Sequence, residues 1–125
     1  MSAAVLTGIH TVGVPVTDQD KALAFYADTL GLSTRLDVPM ANGSRWIEVA
    51  AEGVPTSVAL IPAKESAPAG VETGIRFITA SAAEFHARLV AAGADVDDVL
   101  HWPGVPAMFA FRDQDGNGLE IVEQS

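Results

Sequence analysis

The chain has 125 residues, no cysteine, and seven Lys and Arg against 16 Asp and Glu, which gives a net charge of −9. Without cysteine, disulfides, thiolate metal sites and cysteine nucleophiles are excluded. The negative charge disfavours partners such as nucleic acid or an anionic membrane and favours cationic ligands. The sequence contains no bilayer-length apolar run and no signal-peptide pattern, so we expect a cytoplasmic protein folded as one domain over residues 1–125.

Two segments repeat one plan. In the first, an alternating run that begins at Thr11 is followed by Asp18 as a helix N-cap, apolar residues at helical spacing, and Gly31 as a stop. In the second, Ser81 opens the helix with a capping box and Gly93 ends it. Because the two caps and the two stops are separated by nearly the same length of chain, we predict two halves of one design.

Strand-like runs follow each helix. Each run is rich in β-branched and aromatic residues and is bounded by turn residues. The predicted unit is therefore βαβββ, used twice, at residues 7–63 and 71–123, with residues 64–70 as the linker. The predicted later strands are residues 33–40, 44–51 and 56–63 in the first unit, and 95–101, 107–113 and 119–123 in the second.

The stretch FRDQDGNGLEIVE raises the question of a metal loop. Asp113, Asp115 and Gly116 resemble the start of an EF-hand, but that loop needs a carboxylate at its twelfth position, which falls on Gln124, and a helix on each side. Since the flanks read as strands, we interpret the stretch as a hairpin turn.

The motifs VTDQDKALAFYADTLGL and FRDQDGNGLEIVE resemble the vicinal oxygen chelate superfamily, which includes glyoxalase I, extradiol dioxygenases, fosfomycin-inactivating enzymes and bleomycin-binding proteins. The resemblance covers nearly the whole chain. It implies an α+β fold in which two βαβββ modules form a curved mixed sheet around a cavity. It also implies a homodimer and a cavity that often holds a divalent metal.

The resemblance places metal ligands on the first and last strand of each module. The matching positions are Thr11, Ala59, Gly74 and Glu120, of which only Glu120 is a usual ligand; His10 is one residue from the first position and would face the other side of a regular strand. A stable divalent site needs several convergent ligands. We therefore predict no cofactor, and name His10 and Glu120 as the ligands if a metal is present.

Strand alternation predicts which side chains face the cavity. If the apolar residues between them pack on the helices, Trp46, Glu48, Arg76 and Glu120 all face it, together with Thr11. Ionised groups in an apolar cavity must pair or carry a perturbed pKa. One alternative is a structural ion pair of Arg76 with either glutamate, or exposure of these groups to solvent.

The other alternative is a binding site. There, Trp46 supplies a flat wall, Arg76 anchors a carbonyl or carboxylate, and Glu48 or Glu120 acts as a base or as counter-ion to a cation. The segment HWPGVP, which contains His101 and Trp102, is either a plain turn or a ligand-binding loop at the cavity mouth.

Two functions remain open. The first is a small-molecule binder with a metal-free cavity. The acidic surface would favour a cationic ligand. The second is a metal-dependent lyase, isomerase or dioxygenase that acts by enolate stabilisation, with Glu120 and Glu48 as catalytic residues and His10 or His101 as further metal ligands.

Overall fold

The computed structural model describes residues 4–124, and its elements follow the predicted order of two βαβββ modules. None of the helices within this range has the length and apolar character needed to cross a membrane. The first module contains β1 (Thr11–Val16), α1 (Gln19–Leu23), a π-helical segment (Ala24–Thr29), β2 (Ser33–Pro39), β3 (Arg45–Ala50) and β4 (Ser57–Pro62). The second contains β5 (Glu72–Thr79), α2 (Ala82–Ala91), β6 (Asp95–Val96), β7 (Met108–Arg112) and β8 (Gly118–Glu123).

The helix of the first module starts where the sequence predicts and then widens. The Asp18 carboxylate accepts hydrogen bonds from the backbone N–H groups of Asp20 and Lys21, which confirms the N-cap. After Leu23 the helix becomes π-helical, and the N–H of Leu30 donates to the carbonyl five residues earlier. The sequence predicts an α-helix throughout, and the wider turn is the difference.

The helix of the second module follows its prediction closely. The Ser81 hydroxyl accepts a hydrogen bond from the N–H of Glu84 at 3.2 Å, which confirms the cap. Gly31 and Gly93 end the two helical segments with φ of +79° and +77°. This left-handed conformation is inexpensive only for glycine.

Each module has its own four-stranded mixed sheet. The strand orders are β1-β4-β3-β2 and β5-β8-β7-β6, and in both sheets the first and last strands of the module pair in parallel while the other pairs are antiparallel. β1 and β5 are therefore edge strands within these sheets. The predicted strand over residues 95–101 is shorter, because only Asp95 and Val96 form a ladder and the chain then reaches one isolated bridge at Leu100.

The two modules share one core. Tyr26 and Phe111, from different modules, are fully buried, and Phe25 stacks on Phe111 with ring centroids 6.3 Å apart. The removal of these aromatic rings from water stabilises the contact between the modules.

The DQDGNG stretch is the hairpin turn between β7 and β8, as predicted. Asp113 Oδ1 accepts hydrogen bonds from the backbone N–H groups of Asp115 and Asn117, which closes the turn locally. Asp113 and Asn117 of this turn are nevertheless buried, and Asn117 donates to the carbonyl of Pro15 while Asp113 accepts from the hydroxyl of Tyr26 at 2.7 Å. It thus fastens the second module to the first.

Candidate functional site

A bulge in β5 determines which residue lies beside Glu120. Glu72 pairs with Gly118, and a regular continuation of the ladder would place Gly74 opposite Glu120; instead, Arg76 is its partner. Two extra residues are accommodated here, and Gly74 has φ of +75°. As a result, Arg76 Nε lies 2.7 Å from Glu120 Oε1.

Local hydrogen bonds hold this bulge. The hydroxyl of Thr73 donates to the carbonyl of Gly118 at 2.7 Å and accepts the N–H of Ile75 at 3.1 Å. The ion pair itself is open to solvent on one side, since the side chains of Arg76 and Glu120 are 62% and 35% exposed. Its attraction is therefore screened, and its contribution to stability is small.

The second cluster surrounds Glu48 on β3. Glu48 is only 5% exposed. Its Oε2 accepts the indole N–H of Trp46 at 2.7 Å, and its Oε1 accepts the hydroxyl of Ser57 at 2.7 Å. Ser57 Oγ also lies 2.9 Å from the hydroxyl oxygen of Thr11. These donors lower the pKa of Glu48, chiefly through the Trp46 indole and then through the Ser57 hydroxyl, while burial acts in the opposite direction.

His10 lies at the edge of the same cluster. Its Nε2 is 3.7 Å from Glu48 Oε1, and its side chain is 81% exposed. The strand begins only at Thr11, so the alternation that would turn His10 away from Thr11 does not apply to it. His10 and Thr11 both lie near Glu48, His10 directly and Thr11 through the Ser57 hydroxyl.

Residues that pair across neighbouring strands form a row, and equivalent rows of the two sheets have their charged side chains on different strands. In the first sheet the row is Gly13, Ala59 and Glu48, and in the second it is Arg76, Glu120 and Ala110. The first row has no cation, so Glu48 is satisfied by neutral donors. In the second row the carboxylate and the guanidinium are direct neighbours. Arg76 thus pairs with Glu120 and not with Glu48.

An apolar cavity of about 390 Å³ lies between the first sheet and the free side of β5. Such a volume is in the range of small-molecule sites. Arg76 and Ser57 are both on its wall, so the cavity connects the two clusters. Its apolar lining comes mainly from Val12, Val54, Val58, Ile75, Phe77 and Ile78.

Of the predicted site residues, Arg76 lines this cavity, whereas Thr11, Trp46, Glu48, Trp102 and Glu120 do not. Trp46 shares the face of Glu48 and uses its N–H for that carboxylate. His101 and Trp102 are exposed in the loop before β7. Ser57 was not singled out from the sequence, although it lies two residues before Ala59 and therefore on the same predicted face of β4.

A divalent metal does not fit these side chains within one chain. Among residues 4–124, no three His, Asp or Glu side chains converge as a metal site would require. His10 lies by Glu48, whereas Glu120 is engaged by a guanidinium whose positive charge opposes a metal ion at the same oxygen. We therefore derive no chemistry through a metal.

Comparison with known proteins agrees with this architecture. The pattern of the Glyoxalase/Bleomycin resistance protein/Dioxygenase superfamily matches residues 8–121. The chain is similar to TnmS3, an antibiotic binding protein from Streptomyces sp. CB03234, with 31% identity and a TM-score of 0.88 over 98% of this chain and 100% of TnmS3.

Two further similarities point the same way. A superfamily member from Sphaerobacter thermophilus DSM 20745 is 31% identical, with a TM-score of 0.86 over 95% of this chain and 98% of that one. A 54-residue stretch is 39% identical to the uncharacterized protein YetH of Bacillus subtilis (strain 168). That match spans 43% of this chain and 45% of YetH.

Proposed function

We propose that this chain, which belongs to the Glyoxalase/Bleomycin resistance protein/Dioxygenase superfamily, binds a small organic molecule in the cavity beside β5 without using a metal. The observation that carries the proposal is the position of Arg76. Arg76 lines an apolar cavity of about 390 Å³, and its guanidinium lies next to Glu120. An apolar cavity with few polar groups is the usual form of a small-molecule site.

Arg76 is suited to hold a hydrogen-bond acceptor. A guanidinium has five N–H donors, and within residues 4–124 the only recorded polar contact of Arg76 is the one from Nε to Glu120. The donors of its terminal nitrogens can therefore serve a ligand. Because Glu120 balances the charge of Arg76, a neutral carbonyl oxygen suits this position better than a carboxylate does.

The state of the two glutamates supports binding over proton abstraction. A general base is most effective when its pKa lies near the working pH. The pKa of Glu48 is lowered by the Trp46 indole N–H and the Ser57 hydroxyl, which makes Glu48 a weak base. Glu120 is held by Arg76. Antibiotic binding is the property named for TnmS3, which is similar to nearly the whole chain at 31% identity.

We further propose that the functional unit is a homodimer. Leu36 and Val38 on β2 are 40% exposed and are register partners of Glu48 and Trp46, so they extend the cavity-side face of the first sheet. Met40 continues this exposed apolar row. An apolar row of this kind on an edge strand favours burial against another subunit. Light scattering should give twice the chain mass, and Val38→Lys should shift it to the monomer; a monomeric wild type would contradict the dimer.

Calorimetric titration tests the ligand proposal. Octanamide and naphthamide offer a neutral carbonyl on a linear and on a flat apolar body. We expect at least one to bind with the same affinity in EDTA and in buffers supplemented with Ni²⁺, Mn²⁺, Fe²⁺ or Zn²⁺. Binding that depends on a metal, or failure of both amides to bind, would overturn the proposal.

A further inference from the structure

A second apolar cavity, of about 200 Å³, adjoins the first along β5. The two cavities share Ala51, Phe77 and Ile78 as wall residues. The second one continues towards the end of the first module's helix and α2, where its apolar wall is formed by Leu30, Leu32, Phe85 and Ile121. The two cavities are therefore neighbours at the junction of the two modules, and we call them together the groove.

The two parts of the groove differ in charge. Arg76 lies on the wall of the larger cavity only, and Glu52 lies on the wall of the smaller cavity only. Glu52 is exposed and accepts one hydrogen bond, from the Ser33 hydroxyl at 3.0 Å. It makes no ion pair with another side chain within residues 4–124. It is also the only acidic residue among those that line either cavity there.

The span of the groove along β5 sets the length of the ligand that would occupy it. Arg76 lines the first cavity and Thr79 lines the second, and both are on β5. Three residues of extended strand cover about 10 Å. An extended chain of about eight carbons has a comparable length.

We infer that the groove takes an elongated amphiphile with a neutral carbonyl at one end, a protonated amine at the other and an apolar body between them. The carbonyl binds Arg76, the apolar body covers Phe77 and Ile78, and the amine pairs with Glu52. The inference rests on the proposed binding function and adds the second cavity and the class of ligand. The net charge of −9 assists the approach of such a cation.

A matched pair of probes tests this inference. Octanamide provides the carbonyl and the apolar body, and ω-aminooctanamide adds the amine. An exposed ion pair adds only a weak attraction, so we expect ω-aminooctanamide to bind about threefold more tightly than octanamide at low ionic strength. The preference should decrease with added salt. The shorter ω-aminobutanamide cannot reach both ends and should gain nothing from its amine relative to butanamide.

Two variants test whether Glu52 is the group that recognises the amine of ω-aminooctanamide. Glu52→Gln keeps an acceptor for Ser33 and should abolish the preference for ω-aminooctanamide over octanamide. Glu65→Gln removes an exposed carboxylate that lines neither cavity and should retain the preference.

The outcomes separate the two proposals. If octanamide binds through Arg76 and the amine brings no gain, or the gain survives Glu52→Gln, the extended groove is wrong and the binding function stands. If neither probe binds, the extended groove is wrong, and the binding function is overturned as well if naphthamide also fails to bind.

Discussion

Arg76 and Glu120 face each other across the parallel strands β5 and β8 only because two extra residues bulge from β5 before Arg76. Nε of the arginine lies 2.7 Å from Oε1 of the glutamate. The position that a regular ladder would give to Gly74 is therefore taken by a cation. The positive charge of Arg76 opposes a metal ion beside Glu120. Arg76 also supplies hydrogen-bond donors at the edge of an apolar cavity.

Arg76→Met should weaken ligand binding with little effect on the fold. The ion pair is partly exposed, so its loss should change the free energy of unfolding by less than about 1 kcal/mol. The affinity for octanamide should fall by about tenfold, the loss that corresponds to one hydrogen bond from a charged donor. Arg45→Met, which breaks exposed pairs with Asp37 and Asp20 far from the cavity, should leave the affinity unchanged. Equal affinity in Arg76→Met and wild type would exclude Arg76 from the site.

Gly74→Ala tests the role of the bulge. Gly74 and Gly43 both have a positive φ, of +75° and +87°, and a Cβ at either position would meet nothing within 4 Å. Alanine should therefore cost about 1–2 kcal/mol of backbone strain at both positions. Only at Gly74 should ligand affinity fall as well, because only there does the strain alter the position of Arg76. Denaturant unfolding measures the stability of the two variants, and calorimetry measures their ligand affinity. Equal affinities would show that the bulge has no role in binding.

Glu48→Gln should destabilise the protein, and the effect should depend on pH. The substitution removes the charge that the Trp46 and Ser57 donors stabilise, at a cost of about 1–3 kcal/mol at neutral pH. Since the pKa of Glu48 is lower in the native state than in the unfolded chain, its stabilisation is complete above the unfolded value of about 4.3 and is lost as the pH falls through the native value.

Urea unfolding at neutral pH and below pH 4 measures this dependence. The difference between wild type and Glu48→Gln should shrink at acid pH. The exposed variant Glu65→Gln should match wild type throughout. A difference for Glu48→Gln that stays constant with pH would show that the charge is not the source of the stabilisation.

Tyr26→Phe should weaken the connection between the modules. The phenol donates to Asp113 at 2.7 Å in a buried environment, and its loss should cost about 1.5–3 kcal/mol. Ser44→Ala, which removes an exposed hydroxyl bonded to Asn42, should cost far less. A change below about 0.5 kcal/mol for Tyr26→Phe would mean that the bond adds nothing to stability.

The same residue offers a spectroscopic test. Burial, followed by the neighbouring charge of Asp113, raises the pKa of Tyr26 well above its ordinary value. The chain contains one tyrosine, so tyrosinate absorbance reports on Tyr26 alone. It should appear only when alkali unfolds the protein; titration of the phenol in the folded state would contradict the buried contact.

The sequence predicts the fold in detail because its signals are local. The caps at Asp18 and Ser81, the stops at Gly31 and Gly93 and the buried positions Ile47 and Val49 all follow from spacing and residue type, and the structure confirms them. The π-helical turn could not be predicted in the same way, because its residues also suit an α-helix.

The site could be predicted only in part, since register is not a local property. The bulge in β5 adds two residues, which preserves the alternation of faces but shifts the pairing. Arg76 is therefore on the predicted face, with Ile75 and Phe77 packed towards the core, while its position beside Glu120 requires the structure. The places of Ser57 and Glu52 on the cavity walls could not be predicted, because segments distant in sequence form the cavities.

Metal-independent binding at Arg76 is tested most directly by titrating the isotopically labelled protein with octanamide in EDTA and monitoring the amide NMR shifts. We predict that the shifts concentrate on residues 56–58 and 73–78, which line the larger cavity, and that Arg76→Met needs about tenfold more octanamide to produce them. Shifts centred on β2 and the loop of Trp102, or shifts that appear only after a divalent metal is added, would contradict a metal-independent site at Arg76.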